Sequence, residues 1–459
     1  MTGKNNTIRL LDYLYECAGP DLGPDVTARV KLAIMDFIAS GLAGYRINQV
    51  FNEAAYKVFI GLGGKPESTI MLYGMKLPAI HAATINGMIG HGADIDDGHK
   101  QAMGHPGVAV IPAVLALAEA KKSSWQEIAA AIVAGYELFV RVARVVNPPH
   151  FLRGFHTTGT VGTMAAAAAA AKMMGLPRKE FHHAVSLSAL QSAGLLEVTE
   201  SGQGAKALHP GKAAGNGIFA ALLAAAGAGG PLDFLEGEKG FIKAFSGNTD
   251  SSPLLQRLGD GYEISGCYYK LYPACRHVHA PIDAALKLNR TGFAAGEIEK
   301  VRVHIYPGAL KLTGSIYYPQ CGDEAKFSLP YTVAVGLAKG AFTLGHLETA
   351  AAIAPDVKGL IDKMEIVCDP ALEDRQKNIR GTKIEIIFKD GTARMEYVPL
   401  PKGDPEVPVT NEDIENKLRS CAENVFSPER AEEIIRAVNH LDAENSILQL
   451  SSLLVIEER

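Results

Sequence analysis

A mainly α-helical fold with a smaller α+β part is predicted by three features of this 459-residue sequence. From about residue 7 to 260, apolar side chains recur at the 3.6-residue period of amphipathic helices, in a background rich in Ala, Leu and Gly. Near Gly266 the texture changes to segments that alternate at period two. After a proline-rich linker from Pro399 to Pro408 the helical period returns. The pattern predicts a large all-helical domain formed from residues 1–265 and 401–459, with a smaller α+β lid domain inserted at 266–400.

The elements follow in order. The N-terminal residues lead into an amphipathic helix, and the 3.6 period then marks Val26 to Ala43, Ala79 to Gly90 and Gly107 to Ala120. Ser124 followed by Glu127 is a capping box that opens a helix from Trp125 to Val145. Gly159 to Met174 contains seven consecutive alanines, Ala165 to Ala171, whose small side chains suit a packed core helix. Gly175-Leu176-Pro177 stops that helix and starts another, Arg178 to Ala193, and Lys212 to Ala226 follows. In the second part, Val301 to Tyr306 and Thr382 to Phe388 alternate as strands. Thr382 to Phe388 continues through Lys389-Asp390-Gly391-Thr392 into Ala393 to Val398 as a hairpin. Helical patterns lie near Cys275 to Leu288 and Tyr331 to Leu337. Beyond the linker, Thr410 to Ser420, Pro428 to Leu441 and Ser446 to Leu454 return to helix.

Composition narrows the function. An apolar content of 47% supports a sizeable core, and a net charge of -5 without a Lys/Arg run argues against nucleic acid as partner. An anionic small molecule stays compatible, since a local cluster of Lys, Arg and His can hold one. The N-terminal residues lack the apolar core of a signal peptide, and the most apolar run, around Ala213 to Gly230, is broken by Asn216 and glycines. No membrane association is expected. Six cysteines without a CxxC pair suggest reduced thiols and a cytoplasmic location. No GxGxxG, Walker or G-x-S-x-G signature occurs, so no cofactor is expected.

The densest chemistry lies in His91-Gly92-Ala93-Asp94-Ile95-Asp96-Asp97-Gly98-His99, closed by His105-Pro106. Carboxylates so close together repel, and some must shift their acidity or pair with a cation, as in acid/base sites; a solvated acidic turn is the plainer alternative. The His91/Asp94 and Asp97/His99 spacings can also be drawn as metal ligands, but no HExxH, cysteine pair or EF-hand loop accompanies them, and no metal is expected. His156, before Thr157-Thr158-Gly159, is a candidate acid/base or a capping residue. Lys206, His209 and Lys212 flank a helix start, where free N–H groups favour an anion. Lys270 to His279 gathers Lys270, Tyr272, Cys275, Arg276, His277 and His279 at the inferred domain junction. Arg276 can clamp a carboxylate through two hydrogen bonds. Cys275 lacks an orienting triad and is read as a pocket wall. Tyr136 is either an acid/base phenol or a helix residue with a satisfied hydroxyl.

These residues carry a resemblance to the 2-methylcitrate dehydratase family (MmgE/PrpD), which also contains cis-aconitate decarboxylase and iminodisuccinate epimerase. The matching segments are Asp94-Ile95-Asp96-Asp97 with His105-Pro106; Gly154 to Thr160; Lys206 to Gly211; Lys270 to Arg276; and Ala325 to Tyr331. The resemblance implies a metal- and cofactor-free homodimer with its site between helical domain and lid. It carries pocket roles over to Asp94, His105, His156, Lys206 and Lys270. Two departures stand out. Where the decarboxylase branch has a Thr after its DxDD motif this chain has Gly98, and where that branch has a His five residues after the pocket Lys it has Cys275. Tyr317 and Tyr318 are the candidates for the branch's pocket Tyr.

The chemistry common to the family makes or quenches a carbanion next to a carboxylate, which needs preorganised cations in a dry pocket. The expected function is therefore a cofactor-independent lyase that dehydrates a 2-methylcitrate- or citrate-like hydroxy-polycarboxylate. The alternatives are an epimerase of an imino- or amino-dicarboxylate and a cis-aconitate-type decarboxylase. Asp94, His105, His156, Lys206, Lys270 and Tyr136 are the expected catalytic groups; Arg276, His209, Cys275 and His277 are expected to bind the di- or tricarboxylate substrate.

Overall fold

The structure is a computed structural model that describes residues 5–17, 22–199, 204–374, 379–443 and 446–456. Helix accounts for 59% of it and strand for 10%, which places it in the mainly α class with an α+β part. Two compact units emerge. One runs to Tyr268 and resumes at Ile414; the other is Tyr269–Asp413.

The alanine-rich helix, Thr157–Met173, is the centre of the first unit. It packs against Gly107–Lys121, Trp125–Val146, Arg178–Ala189 and Leu208–Ala225. Ala165 to Ala171 all have 0% exposure, so this helix is covered on every side. Methyl side chains allow that, because they let neighbouring backbones come close and fill the space with many small dispersion contacts. Glycine extends the same device. A Cβ on Gly211 would lie 2.4 Å from the Thr84 carbonyl oxygen, and one on Gly217 would lie 2.5 Å from the Ala166 methyl. Leu208–Ala225 therefore nestles between Ala79–His91 and the central helix. The Ser124 capping box forms as the spacing predicts, with Ser124 Oγ accepting from the Glu127 N–H. The helices Asn411–Ala422, Pro428–Asn439 and Ser446–Leu453 return at the C-terminal side. Elements without a predicted counterpart include the helix Gln49–Leu62 and the short antiparallel pair Ser68–Thr69 with Lys76–Leu77.

The second unit holds a four-stranded sheet in the order Met364–Cys368, Ile298–Ile305, Thr382–Phe388, Ala393–Val398. The first pair is parallel and the other two are antiparallel. Thr382–Phe388 alternates strictly between buried and half-buried positions, which is the period-two signal in the sequence made physical. Its buried face meets the helix His279–Asn289, which also packs on Leu329–Lys339. The stretch near Cys275 is not helical from its start: a short 3-10 turn, Arg276–Val278, precedes His279–Asn289. Among the described residues, no helix is long and apolar enough to cross a membrane.

Candidate active site

The Asp/His-rich segment is a tightly bound loop that links two buried helices. Ala79–His91 ends at its first histidine, and Gly107–Lys121 begins directly after Pro106. Asp94 takes a left-handed backbone, with φ of 54°. That conformation is uncommon for a residue with a Cβ, and Asp is among the few that tolerate it. Three distant segments fix the loop. Lys417 Nζ donates to the Ile95 carbonyl (2.6 Å), Gly98 and Tyr268 exchange backbone hydrogen bonds (3.0 and 2.7 Å), and the His105 N–H donates to Thr158 Oγ1 (3.1 Å). Lys417 is itself buried and paired with Asp36 (2.6 Å).

Within this frame the side chains converge. The Asp96 carboxylate accepts from His91 Nδ1 (2.9 and 3.0 Å) and lies 3.1 Å from His105 Nδ1. His105 Nδ1 also donates to the Asp97 carbonyl (2.6 Å). A carbonyl only accepts, so Nδ1 carries a proton; the other nitrogen of the ring is Nε2. That nitrogen lies 3.8 Å from Asp94, whose carboxylate pairs with Lys206 Nζ at 3.2 Å. His156, the cap residue of the central helix, meets His209 through the two Nδ1 atoms (2.9 Å). One ring must donate and the other accept, so the two hold opposite tautomers. His209 also lines a cleft of about 520 Å³ together with Lys212 and Glu197.

Burial decides the charge states. Desolvation lowers the His156 imidazole well below its ordinary range, and Lys206, His91 and His209 add to the effect. His209 falls to about 4, also chiefly through burial, and His91 is lowered although Asp96 opposes the shift. Burial alone would raise the Asp96 carboxyl, but His91 and His105 hold it well below the usual carboxylate range. Asp97 goes the other way. Desolvation, with Asp36 nearby, raises it to about 8, against the hydrogen bond from Tyr136. Three adjacent carboxylates thus divide into an ionised orienter (Asp96), a carboxyl with raised proton affinity (Asp97) and a lysine partner (Asp94). His91, Asp94, Asp96 and His105 are also the groups that could hold a metal, since one ligand atom from each lies within 4.8 Å of the others.

The first unit brings Asp94, His105, His156, Lys206 and His209 into this cluster. Of the two readings of Tyr136, the helix residue with a satisfied hydroxyl is the one its surroundings match. It is 0% exposed, and its hydroxyl donates to Asp97 Oδ2 (2.7 Å), so it supports the loop from behind. Lys270, Cys275, Arg276 and His277 belong to the second unit. Lys270 is buried and Cys275 half-buried. The guanidinium of Arg276, expected to clamp a substrate carboxylate, donates within the second unit to Asp404 and to the Tyr269 and Lys402 carbonyls and contacts His279 Nδ1. His277 is hydrogen-bonded to the Tyr306 hydroxyl and lowered to about 4 by burial, which keeps it neutral. Of the two tyrosines proposed for the pocket, Tyr318 donates to Asp362 on an exposed surface. The sequence leaves open which of Asp94, Asp96 and Asp97 orient a histidine; the structure puts Asp96 against His91 and His105. Lys417 and Asp36 gave no local signal, because their meaning appears only once the chain has folded back.

Comparison with known proteins places the chain in a family. Residues 9–254 match the MmgE/PrpD N-terminal domain and residues 272–443 the MmgE/PrpD C-terminal domain. The class is therefore a family whose named relatives are lyases. The chain belongs to the MmgE/PrpD family. The cis-aconitate decarboxylase-like protein oryM of Aspergillus oryzae is 27% identical over 98% of this chain and 97% of its own length. Human cis-aconitate decarboxylase is 29% identical over 94% of this chain and 90% of its own. The 2-methylcitrate dehydratase of Salmonella typhimurium is 28% identical over 51% of each chain.

Proposed function

We propose that this protein is a lyase acting on a tricarboxylate beside one of its carboxylates, and that its reaction is decarboxylation of a cis-aconitate-like acid. One observation supports the reading above the others: Lys206, Asp94 and the open Nε2 of His105 meet within 3.2 and 3.8 Å contacts, among histidines that burial keeps neutral. Decarboxylation is preferred over the dehydration expected from the motif because the cis-aconitate decarboxylases match over nearly the whole chain and the dehydratases over half.

In the proposed reaction the bond to the departing carboxylate breaks, carbon dioxide leaves, and its electron pair spreads into the remaining unsaturated carboxylate. Lys206 neutralises that charge, which a low-dielectric pocket makes effective. His105, protonated at Nε2, delivers a proton to the carbanion and is recharged from solvent. Asp94 holds Lys206 and faces the same nitrogen. Dehydration is the second reading, favoured by the match to the 2-methylcitrate dehydratase. There His105 would remove the proton next to the carboxylate and pass it to the departing hydroxyl, which leaves as water.

The test is incubation of the purified protein with cis-aconitate, citrate and 2-methylcitrate in deuterated water. Carbon dioxide release with one solvent deuterium in the product is expected. Loss of water without carbon dioxide would replace this reading by dehydration. Deuterium entering an imino- or amino-dicarboxylate without net loss would replace it by epimerisation. The homodimer implied by the family is tested by light scattering.

A further inference from the structure

We infer that Asn48 is the positioning residue for Lys206: its side-chain amide pins the turn that carries the lysine beside the loop that carries Asp94, and so sets how the two meet. The inference rests on the role given to Lys206 above and adds the group that holds the lysine in place.

Geometry carries the argument. Asn48 is buried at the corner between the helices Gly23–Ile47 and Gln49–Leu62. Three hydrogen bonds stiffen that corner. The Asn48 N–H donates to the Gly44 carbonyl (2.9 Å), the Asn52 N–H to the Asn48 carbonyl (3.0 Å), and Asn52 Nδ2 to the Gly44 carbonyl (3.0 Å). One side of the corner fits the start of the Asp/His loop. A Cβ on Gly92 would lie 2.9 Å from the Gly44 Cα and 3.0 Å from the Asn48 Cβ, so the loop comes this close because Gly92 has no side chain. The amide end of Asn48 reaches the other segment. Its Nδ2 donates to the carbonyl of Gly204, which opens the turn Gly204–Ala207, at 3.0 Å. Gly204 has no spare room either: a Cβ there would overlap the Asn48 amide. Asn48 therefore touches Gly92 and Gly204, each two residues ahead of a member of the Asp94–Lys206 pair. An amide does this without a charge that would compete for either partner. The lysine stem is flexible, so the position of its ammonium depends on a fixed backbone. A displacement of about 1 Å can cost on the order of 100-fold in rate.

The experiment is a double-mutant cycle between Asn48→Ala and Lys206→Ala, run on whichever of cis-aconitate, citrate and 2-methylcitrate the protein turns over, together with amide hydrogen exchange read by mass spectrometry without substrate. Asn48→Ala should lower kcat about tenfold or more. In the Lys206→Ala background the same substitution should change kcat less than about twofold, because a residue that acts through Lys206 has nothing left to act on. Exchange in the peptide spanning Gly204–Ala207 should quicken about tenfold in Asn48→Ala. Losses in kcat that add in the double variant overturn the inference, and so does unchanged exchange at that turn. Should Asn48→Ala fail to fold, Gly204→Ala decides by the same two readouts, since its methyl group displaces the amide. If Lys206→Ala turns over like wild type, the role of Lys206 under the proposed function falls, and exchange at the turn alone decides whether Asn48 pins it.

Discussion

Gly98 lacks a side chain where the Tyr268 ring takes up the room: a Cβ there would lie 2.4 Å from the Tyr268 hydroxyl and 2.5 Å from the carbon that bears it. At this position the absence of a side chain makes room for the ring. Gly98→Thr alone should overpack the loop and cost about 1–3 kcal/mol. Adding Tyr268→Ala should recover most of that in a thermal melt, and a failure to recover would show that the ring is not what forbids the side chain. Lys206→Ala should lower kcat/KM about 100-fold, or about 2.7 kcal/mol of transition-state stabilisation, in a protein that melts near wild type. Wild-type turnover would remove Lys206 from the reaction. Asp97 gives a prediction with a definite sign. Its carboxyl holds a proton up to about 8 when folded but releases it near the ordinary 3.8 when unfolded. The unfolded state therefore binds fewer protons between those values, and this group's contribution to stability declines as pH rises from about 4 to about 8. Asp97→Asn mimics the neutral form, so the difference in melting temperature should move in favour of the variant between pH 6 and 8.5. A constant difference would show that Asp97 is ionised in the folded protein.

Helices with a strong apolar period, the capping box at Ser124 and the hairpin at Lys389 to Thr392 were legible in the sequence because local physics dictates them. The strand Met364–Cys368 was not, since it is only five residues long and its parallel partner Ile298–Ile305 lies far back in the chain. The same holds for the site. Asp94, His105, His156 and Lys206 belong to recognisable motifs, whereas Lys417 is one lysine on an otherwise ordinary helix, Asn411–Ala422. Its double role can be separated by experiment. Lys417→Met leaves Asp36 buried without its ammonium and should cost about 3–5 kcal/mol. Combining it with Asp36→Leu replaces a buried ion pair by apolar groups and should restore much of the melting temperature. It would not restore the donor to the Ile95 carbonyl, so kcat should stay low. Full recovery of both properties would reduce Lys417 to a stability element.

Across the whole molecule, buried histidines set the acid limit. His91, His99, His156, His209 and His277 are all lowered by desolvation, His99, His209 and His277 to about 4. Each has an ordinary value of 6.5, so between 6.5 and about 4 the unfolded chain binds more protons than the folded one. Stability from these groups is complete above about 6.5 and is lost as pH falls towards 4, which opposes the trend from Asp97. The melting temperature should therefore drop steeply below pH 6, well before carboxylates reach their ordinary range. A flat profile from pH 7 to 4.5 would show that the histidines are solvated or charged in the folded state.

The loop from His91 to His105 is held by Tyr268 and Lys417, and this has a consequence for synthesis. A ribosome making about 5–20 residues per second needs roughly 15–60 s to travel from His105 to Lys417. During that interval the acid/base residues of the loop exist on a nascent chain, but the clasp on Ile95 does not. The loop therefore gains this support only after the segment that carries Lys417 has been made, long after the motif itself.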